Sequence, residues 1–241
     1  AQGISNLLSW FSGQFGEAES ANSPADAVRE TRIDVTAGRL VVRTPKALPL
    51  RGVPLAVVVR APAGSNVDVR SGSADVRVSG RGGRLTVSTG AGDVRAERAE
   101  GAAQVSTGSG AIRLGPMLAG LQARTSSGEV EVSSVGGVTN LFTGTGDVWL
   151  GAVAADVVAR TGSGDLLIAD AASGRVELTT GSGEIRVGVR RGTVAEIDLS
   201  SGSGQARSEL ELSNTPPVAA PALRIRGRTG SGAAVATAAV D

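Results

Sequence analysis

The sequence contains no cysteine and no histidine, and each absence excludes a class of chemistry. Without cysteine there are no disulfides, thiolate metal sites or cysteine nucleophiles, and the chain suits an oxidising or a reducing compartment equally well. Histidine is the usual general base near neutral pH and the commonest transition-metal ligand, so its absence excludes a Ser-His-Asp site. We therefore expect no enzyme site, no cofactor and no metal ion.

Aromatic residues are also scarce, with three Phe, two Trp and no Tyr in 241 residues. Stacking platforms for single-stranded nucleic acid need such rings. A formal net charge of +1 provides no basic face for duplex DNA. Nucleic acid is therefore not an expected partner.

The longest apolar run, at 53–59, is far shorter than the roughly 20 residues that a membrane span needs.

Glycine, in contrast, is abundant, with 35 residues, many of them in a recurring Thr-Gly-Ser-Gly-acid motif. The residue before the acidic position recurs five times at a step of 18, and then at steps of 19, 21 and 28: Ala74, Gly92, Gly110, Gly128, Gly146, Gly164, Gly183, Gly204 and Gly232. A fixed period near 20 residues indicates a solenoid. Apolar residues alternate on both sides of each motif, so each period holds two strands. The sequence predicts an all-β fold, a single parallel β-solenoid with about 18 residues per coil.

The glycines of the motif suit sharp corners, because they accept positive φ angles and leave room for close stacking. The Thr or Ser before them predicts a hydroxyl ladder that caps backbone groups at the corner. Most corners are followed by an outward acidic residue, and four coils carry an arginine two residues after the acidic position. The acidic column is Asp75, Asp93, Glu129, Asp147, Asp165 and Glu184, and the arginines are Arg77, Arg95, Arg113 and Arg186. We expect a surface ion lattice there, with calcium binding as the alternative.

A known family shares these features. The stretch VVVRAPAGSNVDVRSGSADVRV at 57–78, the repeated TGSGD corners and GTVAEIDLSSGSGQAR at 192–207 resemble a bacterial β-repeat family of adhesin-like proteins whose function is not established. The resemblance covers roughly residues 33–240 and is bactofilin-like in general character. It implies a β-helix-like solenoid, often secreted or on the cell surface, and it transfers no catalytic residues. A cytoplasmic location stays open, because no signal peptide is visible.

The N-terminal region differs from the repeats. Apolar residues at helical spacing predict an amphipathic helix over 1–15, whose docking face is Leu7, Leu8, Phe11 and Phe15. We expect a polar linker at 16–32 and the solenoid domain at 33–241, with its first strands at 33–42 and 53–60. The prolines at 214–221 predict a surface loop between the last two corners.

Four outward positions are apolar where other coils carry polar residues: Phe142, Trp149, Val158 and Leu167. Such a patch indicates a partner, or cover by the N-terminal segment. The favoured function is a non-enzymatic structural or interaction protein, a rigid solenoid that docks to a protein partner or self-associates. The alternative is a polysaccharide- or ion-binding module. Protein docking is favoured over a membrane surface, because residues 1–15 contain no Lys or Arg.

Overall fold

The computed structural model describes residues 23–210 and 220–240. The chain divides into two compact units, residues 1–60 and residues 61–241, and each is described by itself. The amphipathic helix predicted at 1–15 lies outside the described residues, and so does most of the proline-containing loop predicted at 214–221.

The first unit contains helix α1 (Pro24–Glu30), strands β1 (Arg32–Thr36) and β2 (Arg39–Arg43), and a 3-10 turn (Leu50–Gly52). Helix α1 begins after Ser23, whose Oγ accepts the backbone N–H of Asp26 at 3.2 Å. Strands β1 and β2 pair antiparallel across a two-residue turn at Ala37 and Gly38, both with positive φ.

Three sequence predictions for this unit are therefore wrong. The predicted linker at 16–32 contains helix α1. The strands predicted at 33–42 do not start the solenoid, because the tight turn folds them into a separate two-stranded hairpin. Residues 53–60, predicted as the next strand, do not form a strand.

The second unit is a parallel β-solenoid, as the sequence predicted, with two sheets that each contain nine of the described strands. Sheet 1 consists of β3 (Val67–Ser71), β5 (Leu85–Thr89), β7 (Ala103–Thr107), β9 (Leu121–Thr125), β11 (Thr139–Thr145), β13 (Val157–Ser163), β15 (Gly174–Ser182), β17 (Ala195–Ser201) and β19 (Leu223–Ser231). Sheet 2 consists of β4 (Val76–Gly82), β6 (Val94–Ala99), β8 (Ile112–Met117), β10 (Val130–Val135), β12 (Val148–Val153), β14 (Leu166–Ala171), β16 (Ile185–Val189), β18 (Ala206–Ser208) and β20 (Ala234–Ala238).

The core lies between the two sheets, where the predicted apolar columns point inward. Leu141 in sheet 1 and Val148 in sheet 2 are buried, and equivalent residues in most other coils are buried as well. In strand β12, two residues in succession, Gly151 and Ala152, lie on the outer side, and Val153 lies in the core again. The same break in the alternation occurs in β6, β8, β10 and β14, whose last residue also lies in the core.

The last two coils are stacked in an order that differs from their order in the chain. We call one strand of sheet 1 with the following strand of sheet 2 a rung, and number the rungs from β3 and β4 in spatial order. Strands β19 and β20 insert next to β15 and β16 as rung 8, and the earlier strands β17 and β18 form rung 9. The simple progression of corners that the sequence suggested is wrong at this end.

Close stacking explains the glycine corners better than backbone conformation does. A Cβ atom at residue 92 would lie 2.1 Å from the carbonyl oxygen of Ala74 in the preceding rung, and one at residue 110 would lie 2.0 Å from that of Gly92. Positive φ occurs at the second corner glycine in some rungs, such as Gly164 and Gly183. Most corners therefore require glycine because there is no space for a side chain.

Candidate interaction surfaces

The buried side of each corner contains the hydroxyl ladder that the sequence predicted. Thr107 Oγ1 donates to the carbonyl oxygen of Gly92 in the preceding rung at 3.0 Å and accepts the backbone N–H of Gly110 at 3.1 Å. Corresponding Thr or Ser residues donate to the preceding corner in the other rungs with a neighbour on that side: Thr89, Thr125, Thr143, Thr161, Thr180, Thr229 and Ser201. These hydroxyls satisfy corner backbone groups that are buried from water.

On the outer side of four corners, a carboxylate has a role that the sequence did not reveal. Asp147 Oδ1 accepts the backbone N–H of Asp165 in the next rung at 2.8 Å, and Asp165 Oδ1 accepts that of Glu184 at 2.7 Å. Asp75 and Asp93 bond the next rung in the same way. The acidic column therefore pairs with the backbone as well as with arginine.

The predicted ion lattice forms in part. Arg113 contacts Asp93, Glu129 and Glu131 at 3.4–3.9 Å, and Arg186 contacts Glu184 at 2.8 Å. The hydrogen bond and charge of Glu184 raise the pKa of Arg186 above its ordinary value. These side chains are substantially exposed, so each pair adds little to stability. Within residues 23–210 and 220–240, no cluster of His, Cys, Asp and Glu is placed to hold a metal ion.

The four predicted apolar site residues fall into two pairs on different sheets. Trp149 and Leu167 are register neighbours in sheet 2, whereas Phe142 and Val158 lie diagonally on adjacent strands of sheet 1. All four are half-buried. The exposed corner around Gly144 separates the pairs, so they do not form one patch. The other predicted docking residues, Leu7, Leu8, Phe11 and Phe15, lie outside the described residues.

The first pair belongs to an outward column that we call the sheet-2 column. In spatial order it reads Arg77, Arg95, Arg113, Glu131, Trp149, Leu167, Arg186, Val235 and Arg207, of which Val235 alone is buried. The indole of Trp149 lies over Gly151, where a Cβ atom would come within 3.3 Å of Cη2. The column therefore presents an apolar centre between Glu131 and Arg186.

The second pair has a different environment. Phe142 lies between two arginines of adjacent strands, with the guanidinium carbon of Arg124 5.0 Å from the ring centroid and that of Arg160 6.0 Å from it. Both distances suit cation–π interactions. The sequence predicts Phe142 as an apolar docking residue but does not predict its contact with these arginines, because only the register places them beside the ring.

A shallow, charged cavity of about 230 Å³ lies near the C-terminal end of sheet 1, lined by Arg175, Glu177, Glu196, Asp198, Arg224, Ile225 and Arg226. Two ion pairs cross it, Arg224 with Glu196 at 3.2 Å and Arg226 with Asp198 at 3.1 Å. Its charges therefore largely satisfy one another.

The stacked rungs and capped corners define a β-solenoid repeat protein. The family model Toastrack DUF4097 matches residues 56–219, about two thirds of the chain, and the protein belongs to that family. The match begins close to the solenoid and excludes the β1–β2 hairpin. Neither a curated protein nor a solved structure matches the chain. No helix among the described residues has the length and apolar character to cross a membrane.

Proposed function

We propose that the protein is a non-enzymatic scaffold that docks to protein through the sheet-2 column, and that its partner there is a second copy of the chain. One observation carries this proposal. Four successive rungs present Glu131, Trp149, Leu167 and Arg186 in one outward line. The absence of His and Cys from the sequence supports a role other than catalysis.

The order of these four residues makes the surface of one copy complementary to the same surface of a second copy. If a second copy lies antiparallel on the first, Trp149 of each copy faces Leu167 of the other. The carboxylate of Glu131 then faces the guanidinium of Arg186. A two-fold axis between rungs 5 and 6 produces all of these contacts at once, as an isologous dimer requires.

The same line resembles the anatomy of a protein interface, with an apolar centre and a charged rim. Glu131 already contacts Arg113 at 3.5 Å, and Arg186 already contacts Glu184. Both rim groups remain partly exposed, so they can share a further partner of opposite charge. The charges would set the orientation of the two copies, and Trp149 with Leu167 would supply most of the affinity.

Light scattering after size-exclusion chromatography tests this proposal. We expect a dimer that Leu167→Arg converts to a monomer, whereas Leu118→Arg, at an exposed leucine outside this column, leaves it unchanged. Glu131→Arg and Arg186→Glu should each weaken the dimer, and the double charge reversal should restore it. A monomeric mass at every concentration, or a double variant no better than either single one, would contradict the proposal.

The N-terminal segment is the alternative occupant of this column. If Leu7, Leu8, Phe11 and Phe15 cover Trp149 and Leu167 within one chain, removal of residues 1–22 should create a dimer rather than leave one unchanged. Adhesion and a secreted or cell-surface location, which the family resemblance implied, stay predictions.

A further inference from the structure

A second surface lies on sheet 1, where three arginines occupy alternate rungs of one outward column. Arg124 is in rung 4, Arg160 in rung 6 and Arg228 in rung 8. Adjacent parallel strands lie about 4.8 Å apart, so these arginines recur roughly every 10 Å along the solenoid. The regular spacing exists only because β19 inserts between β15 and β17.

These arginines differ from several other arginines of sheet 1 in their ionic partners. Arg70, in rung 1 of the same column, pairs with Asp68 at 3.7 Å, and Arg224 and Arg226 pair across the charged cavity. Arg124, Arg160 and Arg228 are exposed and make no ion pair with any described residue. Their positive charges are therefore available to a ligand.

Phe142 orders the side chains of two of these three arginines, Arg124 and Arg160. Its ring receives the guanidinium groups of Arg124 and Arg160 from either side, which holds both side chains along the column. A side chain that is already ordered loses less conformational entropy when it binds a ligand.

A row of hydroxyls runs parallel to the arginines. Thr145, Ser163, Ser182 and Ser231 are exposed register neighbours in rungs 5 to 8. Only glycine lies between the two rows on the outer surface: Gly144, Gly162, Gly181 and Gly230. On the opposite side of the arginines, the neighbouring column of rungs 2 to 8 has one acidic residue, Glu177, which lies next to Arg226 in register.

We propose that Arg124, Arg160 and Arg228, with the adjacent hydroxyl row, bind a linear anionic polysaccharide that lies along the solenoid axis. The arginines contact carboxylate or sulfate groups that recur roughly every 10 Å, and the hydroxyls bond the sugar hydroxyl groups between them. A polysaccharide in which acidic and neutral sugars alternate has this distribution of charge. The surface is distinct from the sheet-2 column.

The spacing favours such a polymer over an acidic peptide. In an extended peptide, side chains on one face recur at roughly 7 Å, which does not match alternate rungs. Single-stranded nucleic acid normally needs aromatic side chains on which its bases can stack. Here the ring of Phe142 is occupied by its two arginines.

Titration of the full chain with hyaluronan, in which a uronate alternates with a neutral sugar, tests the proposal by calorimetry. We expect saturable binding that weakens with salt, and no binding to neutral dextran. Replacement of Arg124, Arg160 and Arg228 by Gln should raise the Kd on the order of tenfold or more. The matched control replaces Arg77, Arg95 and Arg207 on sheet 2 and should leave the Kd nearly unchanged.

Two further comparisons keep the result specific. Phe142→Leu should weaken binding while the protein stays folded, because it releases Arg124 and Arg160. Leu167→Arg, which disrupts the proposed dimer, should retain hyaluronan binding, so failure of one proposal is distinguishable from failure of the other. Tighter binding of polyglutamate than of hyaluronan, an equal loss in both triple variants, or no binding of hyaluronan would overturn the assignment.

Discussion

Gly227 lies directly beside Leu199 in sheet 1, although 28 residues separate the two in the chain. A Cβ atom at residue 227 would approach Leu199 Cδ2 to 2.7 Å and Ile185 Cγ2 to 3.4 Å. On the other side, the register neighbour of Gly227 is Leu178. Gly227 therefore provides the space that allows rung 8 to fit between two rungs with leucine at the equivalent position.

Gly227→Val should destabilise the protein. Added atoms in a packed core force side chains out of their preferred rotamers, at a cost of about 1–3 kcal/mol in the free energy of unfolding. Gly72→Val is the control, because nothing lies within 4 Å of a Cβ atom at that residue. Urea unfolding measures both, and equal stability of the two variants would contradict the placement of Gly227.

The stacking order itself can be tested by cross-linking, since the protein has no native cysteine. Thr179 and Arg228 are register neighbours, and so are Arg228 and Ser200. Disulfides need Cα atoms about 4.4–6.8 Å apart, which adjacent strands satisfy. The pair Thr179→Cys with Arg228→Cys should oxidise to a disulfide.

The pair Thr179→Cys with Ser200→Cys is the discriminating control. These residues lie two rungs apart, roughly 10 Å, which is too far for a bridge. If the rungs followed chain order, this pair would oxidise and the Thr179–Arg228 pair would not. Mass spectrometry of the oxidised proteins decides between the two orders.

These contacts show why the coil could be predicted from the sequence and the stacking order could not. Inward alternation and the 18-residue step identify each strand, because both follow from local geometry. Every corner, however, offers nearly the same hydroxyl and glycine surface to its neighbour, so the repeat alone does not specify which coil stacks on which. The few deciding contacts, such as Gly227 with Leu199, join residues distant in sequence.

The candidate sites could likewise be predicted only where they depend on local spacing and not on the stacking order. Trp149 and Leu167 lie one period of 18 residues apart, so their contact could be predicted. The row of Arg124, Arg160 and Arg228 could not, because it depends on the exchanged rungs. Helix α1 had a local signal, Ser23 followed by Pro24 and Asp26, but the polar composition of the segment favoured a linker.

The hydroxyl ladder predicts a cost for removing a buried hydroxyl group. Thr107→Val keeps the size of the side chain but leaves the carbonyl of Gly92 and the N–H of Gly110 without this partner. We expect a loss of about 1–3 kcal/mol in the free energy of unfolding. Thr179→Val, at an exposed position, should change it little, and Thr107→Ser should retain most of the stability. A Thr107→Val protein as stable as Thr107→Ser would argue against the capping role.

The corner carboxylates predict a difference between two substitutions at one residue. Asp147→Asn removes the charge but keeps an oxygen that can accept the backbone N–H of Asp165, whereas Asp147→Ala removes both. If the hydrogen bond matters more than the surface charge, Asn should stay close to the native stability and Ala should lose about 1 kcal/mol. Equal losses in thermal unfolding would instead favour a charge lattice.

Millimolar calcium should leave the Tm of the native protein unchanged, because no cluster of carboxylates among the described residues is placed to hold a cation. A rise in Tm with calcium that Asp147→Ala abolishes would show that the acidic column binds cations after all.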